Sequence, residues 1–164
     1  MKTNENLATA FAGESQANRK YLCFAEQAEN EGFTNIARLF RATAAAETIH
    51  ACAEFKSMGG VGSTADNLKA AKSGEEYEFT TMYPPMLETA KEEGNNAAIR
   101  IFNFANEAEK VHARLYDEAL ANLGNEPEGQ DYYLCPICGF IHKGSTPTES
   151  CPICGAKPSI FKKY

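Results

Sequence analysis

No run of apolar residues in this chain approaches the length of a membrane-spanning helix, and its mean hydropathy is -0.42. An integral α-helical membrane protein is therefore excluded. The opening residues, Met1-Lys2-Thr3-Asn4-Glu5-Asn6, are polar and lack the apolar core of a secretory signal, so a cytoplasmic location is expected. Basic residues are in deficit: 16 Lys and Arg stand against 22 Asp and Glu, for a net charge of -6. That balance argues against nucleic acid or an anionic membrane as a partner. A dinucleotide-binding glycine fingerprint is also missing, so any redox chemistry must take its electrons from an external donor, such as a separate reductase. Histidine is scarce, with 3 in 164 residues, and two of the three prove informative by position.

What the chain does have is a pair of cysteine knuckles near its end. Cys135-Pro136-Ile137-Cys138-Gly139 is matched by Cys151-Pro152-Ile153-Cys154-Gly155. Each Cys-x-x-Cys sets two sulfurs on one tight turn, and the glycine that follows allows a positive φ, so that backbone N–H groups can point at the thiolates. Two such knuckles read as one metal held by four thiolates, with paired disulfides as the competing reading. Zinc there would make a structural ribbon and iron a one-electron carrier. The other two cysteines, Cys23 and Cys52, lie alone in helical sequence and are expected as small core residues.

Residues 4 to about 123 read as helix, rich in Ala, Glu, Leu and Phe, with Gly32, Gly59-Gly60, Gly94 and Gly124 where C-terminal caps would fall. Four long helices are expected, over 4–31, 34–58, 76–93 and 95–123, with a short helix at 66–72 in the long second connection. Short, long and short connections fit a ferritin-like bundle with one crossover. Pro84-Pro85 make the third helix subject to a kink or a late start. The expected organisation is a helical domain over 1–123, a polar linker over 124–131 and a small domain over 132–164 whose core must be its metal.

The helical part repeats. A shift of 62 residues lays Tyr21 on Tyr83, Glu26 on Glu88, Gly32 on Gly94 and Phe40 on Phe102, and it lays Glu47-x-x-His50 on Glu109-x-x-His112. Each Glu and His pair shares one helix face, and that face is the apolar, inward stripe. Glu14 joins the inner stripe of the first helix, and Glu75 and Glu78 are one turn apart in the third. Unpaired carboxylates in a bundle interior cost several kcal/mol each, and no Lys or Arg stands at the matching turns. Cations must come from outside. A Glu from each of two helices with Glu-x-x-His from two others is the ligand set of a carboxylate-bridged di-iron or di-manganese site. Tyr21 and Tyr83 are expected to hydrogen-bond these carboxylates from outside. His142, between the knuckles, reads as a surface histidine.

With these motifs in hand, and with Phe11-Ala12-Gly13-Glu14-Ser15-Gln16-Ala17, Glu31-Gly32-Phe33 and Met82-Tyr83-Pro84, the whole chain resembles the rubrerythrins. The resemblance implies an all-α ferritin-like four-helix bundle joined to a small C-terminal rubredoxin-like domain. It implies two iron ions in the carboxylate-bridged site, one iron in the four-cysteine site, and reduction of hydrogen peroxide to water as a defence against oxidative stress. It points to Glu14, Glu47, Glu78, Glu109 and His112 as iron ligands, with Glu75 as an additional one. His50 becomes the ligand that replaces Glu78 when the iron is reduced. The repeat offset alone would select Glu76 in place of Glu75. A rubredoxin or a reductase would be the electron donor, and a head-to-tail homodimer would bring one chain's thiolate site near the other's di-iron site. Two other readings stand beside this one. One is a ferroxidase or iron-storage protein, against which a fused tetrathiolate argues, because storage needs no electron inlet. The other is a zinc ribbon on a helical scaffold, against which the inward glutamates argue.

Overall fold

The computed structural model describes residues 2–125 and 128–164. The chain divides into two compact units, Met1–Gly62 and Ser63–Tyr164.

The first unit is a helical hairpin of α1 (Lys2–Asn30) and α2 (Thr34–Ser57). Its turn follows from Gly32, whose φ of 84° lets the amide of Phe33 reach back to Ala28 O at 2.8 Å while its own reaches Glu29 O at 3.0 Å. The residues that vanish between the helices are small: Ala25 and Ala28 on α1, and Ala37, Ala44 and Ala51 on α2. An alanine seam lets the two backbones approach closely. Asn18 fixes the register, its Nδ2 donating to Ala44 O at 2.6 Å and to Thr48 Oγ1 at 2.8 Å. Cys23 and Cys52 do not join this core, contrary to the expectation from sequence; both are exposed, because the alanines hold the contact stripe and the cysteines stand beside it.

The second unit holds α3 (Thr64–Tyr77), a π-helical turn (Glu78–Met82), α4 (Tyr83–Glu92) and α5 (Asn96–Ala121), followed by a small β lobe. The expected short helix at 66–72 and the expected third helix at 76–93 are one continuous rod, interrupted only by the π turn. Ser63 caps its start, its Oγ accepting from the amide of Asp66, and Gly74 continues the helix at a place where even a Cβ would meet nothing within 4 Å. Pro84 and Pro85 do not stop the rod either. They occupy the first turn of α4, where a missing N–H costs least, and the wider π turn just ahead takes up the strain. Gly94 repeats the turn of Gly32, with Asn95 N donating to Ala90 O at 2.9 Å. Asn95 then caps α5 by accepting from Ala98 N at 3.1 Å.

The lobe is a three-stranded antiparallel sheet of β1 (Asp131–Leu134), β2 (Ile141–Gly144) and β3 (Lys162–Lys163) in the order β2-β1-β3, so the sheet begins at Asp131, one residue inside the expected linker. Tyr133 faces His142 across β1 and β2. Residues 126 and 127 of that linker lie outside the described residues. The lobe's buried residues are Tyr133, Cys135, Cys138 and Cys151, so its core is largely sulfur. The lobe is held to α5 of its own chain, with Phe104 packed against the buried cysteines and Lys143 Nζ 3.2 Å from Glu118 Oε2.

Candidate metal centres

The two knuckles are built alike. Gly139 N donates to Cys135 O and Gly155 N to Cys151 O, while Cys135 N and Cys151 N each donate at 2.8 Å to the carbonyls of Phe140 and Ala156. The glycines adopt φ of 84° and 74°. Cys135 Sγ lies 3.6 Å from Cys154 Sγ, and Cys138 Sγ lies 3.4 Å from Cys151 Sγ. A disulfide needs about 2.05 Å, whereas a tetrahedron of sulfurs about 2.3 Å from a metal has edges of about 3.8 Å. The spacing therefore fits a metal held by four thiolates and excludes paired disulfides. Burial pushes the thiols of Cys138 and Cys154 up, against amides of Phe140 and Ala156 that pull them down. Burial also acts on Cys151, but there the amides of Cys154 and Ile153 outweigh it and hold the thiol below its usual value. Amides aimed at sulfur are what a thiolate bound to a cation requires.

The inward carboxylates form two clusters, one in each unit. In the first, ligand atoms of Glu14, Glu47 and His50 lie within 4.8 Å of one another. His50 Nδ1 is 3.0 Å from Glu47 Oε2 and 3.7 Å from Glu14 Oε2. A hydrogen bond to Glu47, followed by burial, raises the Glu14 carboxyl. In the second unit Glu75, Glu109 and His112 make the equivalent group. His112 Nδ1 is 2.5 Å from Glu109 Oε2 and 3.6 Å from Glu75 Oε2. Burial, and then the adjacent Glu109, push the Glu75 carboxyl up to about 7. Burial raises Glu109 too, but hydrogen bonds from His112 and Glu75 outweigh it, so Glu75 keeps the proton and Glu109 is the carboxylate. His112 is drawn down by burial but held above its usual value by Glu109 and by the carbonyl of Gly139. Among the described residues no Lys or Arg pairs with any of these six groups. In the second cluster the proton on Glu75 stands where a cation would, and a divalent ion would displace it.

The π turn accounts for the register. Glu47 and Glu109, and Tyr21 and Tyr83, obey the 62-residue offset, but the partner of Glu14 is Glu75, one residue short of it. The single extra residue before Tyr83 is the one a π turn accommodates, where the amide of Tyr83 donates to Glu78 O, five residues back. Glu76 points elsewhere, its Oε1 being 3.8 Å from Lys72 Nζ. Glu78 opens the π turn, and its carboxyl is raised by burial and then by the charge of Glu109. Tyr83 is raised by burial and then by Glu109, Glu78 and Glu75, which puts it against the second cluster, while its ring packs on Phe102. Tyr21 packs against Phe24 and Phe40. Neither tyrosine hydroxyl makes a hydrogen bond to a carboxylate among the described residues. His142 Nε2 donates to Ser145 O at 2.9 Å at the lobe surface.

Three groups near the clusters carry no motif. Burial and then Glu75 and Glu109 raise the Tyr116 hydroxyl, so it borders the second cluster. Glu54, its equivalent by the 62-residue offset, adds to the negative charge that raises Glu14, and its Oε2 is buried without a hydrogen-bond partner. The third is the carbonyl of Gly139, 2.9 Å from His112 Nε2. The inner-stripe position of Glu54 and Tyr116 was the available signal for those two; a backbone carbonyl leaves none.

Residues 5–120 match the family model described as Rubrerythrin, and residues 133–162 match that of the rubrerythrin rubredoxin-like domain. The chain is 40% identical to a nigerythrin of Nitratidesulfovibrio vulgaris over 99% of its own length and 86% of that protein. It is equally 40% identical to Rubrerythrin-2 of Clostridium acetobutylicum, over 99% of its length and 96% of that protein. A solved structure titled as the fully reduced, all-ferrous state of nigerythrin is similar at 41% identity and a TM-score of 0.61, covering 99% of this chain and 86% of that one. The donor sets and these matches together assign two iron ions to the carboxylate and histidine ligands and one to the four thiolates. No helix is long and apolar enough to cross a membrane. On its sequence, its helical and rubredoxin-like parts and its donor groups, this chain belongs to the rubrerythrin family of non-haem iron oxidoreductases.

Proposed function

We propose that the protein is a peroxidase that reduces hydrogen peroxide to water with electrons passed on by its own tetrathiolate centre. The observation that carries this reading is the packing of a four-thiolate lobe onto the helix that bears Glu109 and His112. A one-electron inlet held against a carboxylate–histidine cluster suits an enzyme that needs two reducing equivalents at each turnover. Iron, when bound, supplies those two electrons and the Lewis acidity that stabilises both oxygens as the O–O bond breaks.

The chain's own residues set the conditions. Glu14, Glu47, Glu75, Glu78, Glu109 and His112 are the proposed ligands, with His50 taking the place of Glu78 in the reduced protein. Negative charge from five carboxylates favours the oxidised state of the centre and so the release of product. Glu75, which carries a proton in the metal-free cluster, yields it when a cation binds. Tyr83 and Tyr116 wall the second cluster, excluding bulk water from one side and limiting access to small molecules.

An external one-electron donor, a rubredoxin or a reductase, refills the thiolate centre. The protein is further proposed to be a homodimer, supported by large apolar residues such as Leu39 and Ile49, which are 65% and 70% exposed in the first unit. Steady-state consumption of hydrogen peroxide by the iron-loaded protein with reduced rubredoxin tests the reading. Turnover that is lost in Cys154→Ser supports it. Turnover undiminished in that variant would remove the thiolate centre from the reaction.

A further inference from the structure

The two clusters are alike in their ligands but not in their walls. On α5, Leu115, Tyr116 and Ala119 follow His112 by three, four and seven residues and so continue its face of the helix. The α2 residues that match them at the 62-residue offset are Ala53, Glu54 and Ser57. The second cluster therefore carries apolar and aromatic surface where the first carries a methyl, a carboxylate and a hydroxyl. On α3, Leu68 stands two turns before Glu75 on the same face. These faces of α3 and α5, with Tyr132 of β1 and Ile141 of β2, enclose a cleft of about 530 Å3 in the second unit. Glu75 and His112 form its polar end, their side chains 20% and 17% exposed and 3.6 Å apart. Tyr132 and Ile141 also wall an apolar hollow of about 280 Å3 with Leu134 and Tyr164, so hydrocarbon surface continues along the sheet.

The cleft is far larger than hydrogen peroxide needs. A water molecule takes about 30 Å3 of liquid, and hydrogen peroxide has only one more oxygen. A mostly apolar volume of this size, with a few polar groups at one end, is that of a site for an organic small molecule. Its walls offer little to a second hydroxyl, but they match a peroxide whose far oxygen carries a hydrocarbon group. We propose that the cleft admits organic hydroperoxides with an apolar body and that the protein reduces them to alcohols. The O–O group is directed to Glu75 and His112, and Leu68, Leu115 and Ile141 hold the hydrocarbon. The proposal rests on the peroxidase reading above and adds a substrate class to it. In the step, the O–O bond breaks, the oxygen on carbon leaving as the alcohol and the other as water. Two electrons come from the ferrous pair, which becomes diferric, and two protons come from solvent. The external one-electron donor restores the pair. Leu115 and Ala119 act on the choice of substrate and touch no reacting atom.

Anaerobic mixing of the ferrous, iron-loaded protein with cumene hydroperoxide, and separately with hydrogen peroxide, tests the proposal. The expected result is reoxidation by both, with one cumyl alcohol formed per ferrous pair. Acetophenone as the main product would mark one-electron cleavage by loosely held iron and overturn it. Ala119→Trp fills the cleft two turns from His112. In steady state it should raise the KM for cumene hydroperoxide about tenfold or more relative to that for hydrogen peroxide, the scale on which an apolar pocket discriminates by size. An unchanged ratio overturns the cleft as the route. A further readout needs neither turnover nor a variant: in the zinc-loaded protein, cumyl alcohol should shift the methyl NMR signals of Leu68, Leu115 and Ile141. No shift, or shifts confined to other methyls, overturns it too. Oxidation by hydrogen peroxide with cumene hydroperoxide inert overturns this inference and leaves the peroxidase reading intact. A ferrous protein inert to both overturns both.

Discussion

The backbone amide of Tyr83 donates to the carbonyl of Glu78, five residues back rather than four. This one wide turn brings Glu75 rather than Glu76 into line with Glu109 and His112, while Tyr83 stays in register with Tyr21. Removing the extra residue should therefore leave Glu75 in place. With Thr80 deleted, the segment can close as ordinary α-helix with Glu75 seven residues before Tyr83, the spacing of Glu14 and Tyr21. Iron analysis should then find all three ions retained; loss of the two carboxylate-held ions would show that the wide turn itself is needed.

The carboxylates of the Glu-x-x-His pairs are proposed to ligate the two ions of the carboxylate–histidine centre. Glu47→Ala or Glu109→Ala should abolish its occupancy while the ferric–thiolate colour persists, because the thiolate lobe folds around its own metal. Two ions per chain retained in either variant, with full activity, would show the assignment to be wrong.

How far the sequence goes can be judged from particular residues. Glu47, His50, Glu109, His112 and the four knuckle cysteines were legible because each pattern spans a turn or two and local geometry alone sets its side chains together. The choice between Glu75 and Glu76 was visible only as a conflict between repeat offset and family motif. A π turn leaves no compositional mark beyond that. The continuous rod from Thr64 to Glu92 was read as two pieces because glycine and proline were given their usual weight as breakers. Cys23 and Cys52 were placed inside because cysteine is usually buried, but an alanine seam left them no room. The His112–Gly139 contact joins residues 27 apart through a backbone atom, which no side-chain pattern encodes.

Metal uptake by the carboxylate–histidine centre should depend on pH. In the metal-free protein the Glu75 carboxyl is raised to about 7, and His112 is held above its usual value. Ligation needs both groups deprotonated. Ferrous affinity, measured anaerobically, should therefore fall as pH is lowered through about 7, with protons released to an indicator on binding. Glu75→Gln should flatten the dependence near that value. Stability of the metal-free fold should run the opposite way. A carboxyl with a raised folded pKa binds more protons folded than unfolded, so its contribution is full below the ordinary carboxylate range and is lost as pH rises through about 7.

The sulfur-rich core of the lobe makes its fold conditional on metal. Tyr133 is the one large buried residue beside Cys135, Cys138 and Cys151 among the described residues. Removing the iron with acid and chelator should collapse the amide NMR dispersion of Asp131–Tyr164 while α1 and α2 keep their helical signals. A lobe that stays ordered without metal would mean that apolar packing alone suffices.

The central claim is that the reduced centre reacts with peroxide in preference to oxygen. Anaerobic stopped-flow mixing of the fully ferrous protein with hydrogen peroxide, and separately with dissolved oxygen, tests it most directly. The account predicts much faster reoxidation by peroxide, with the ferric–thiolate colour returning as the thiolate centre gives up its electron. Equal rates, or faster reaction with oxygen, would contradict it and favour a ferroxidase.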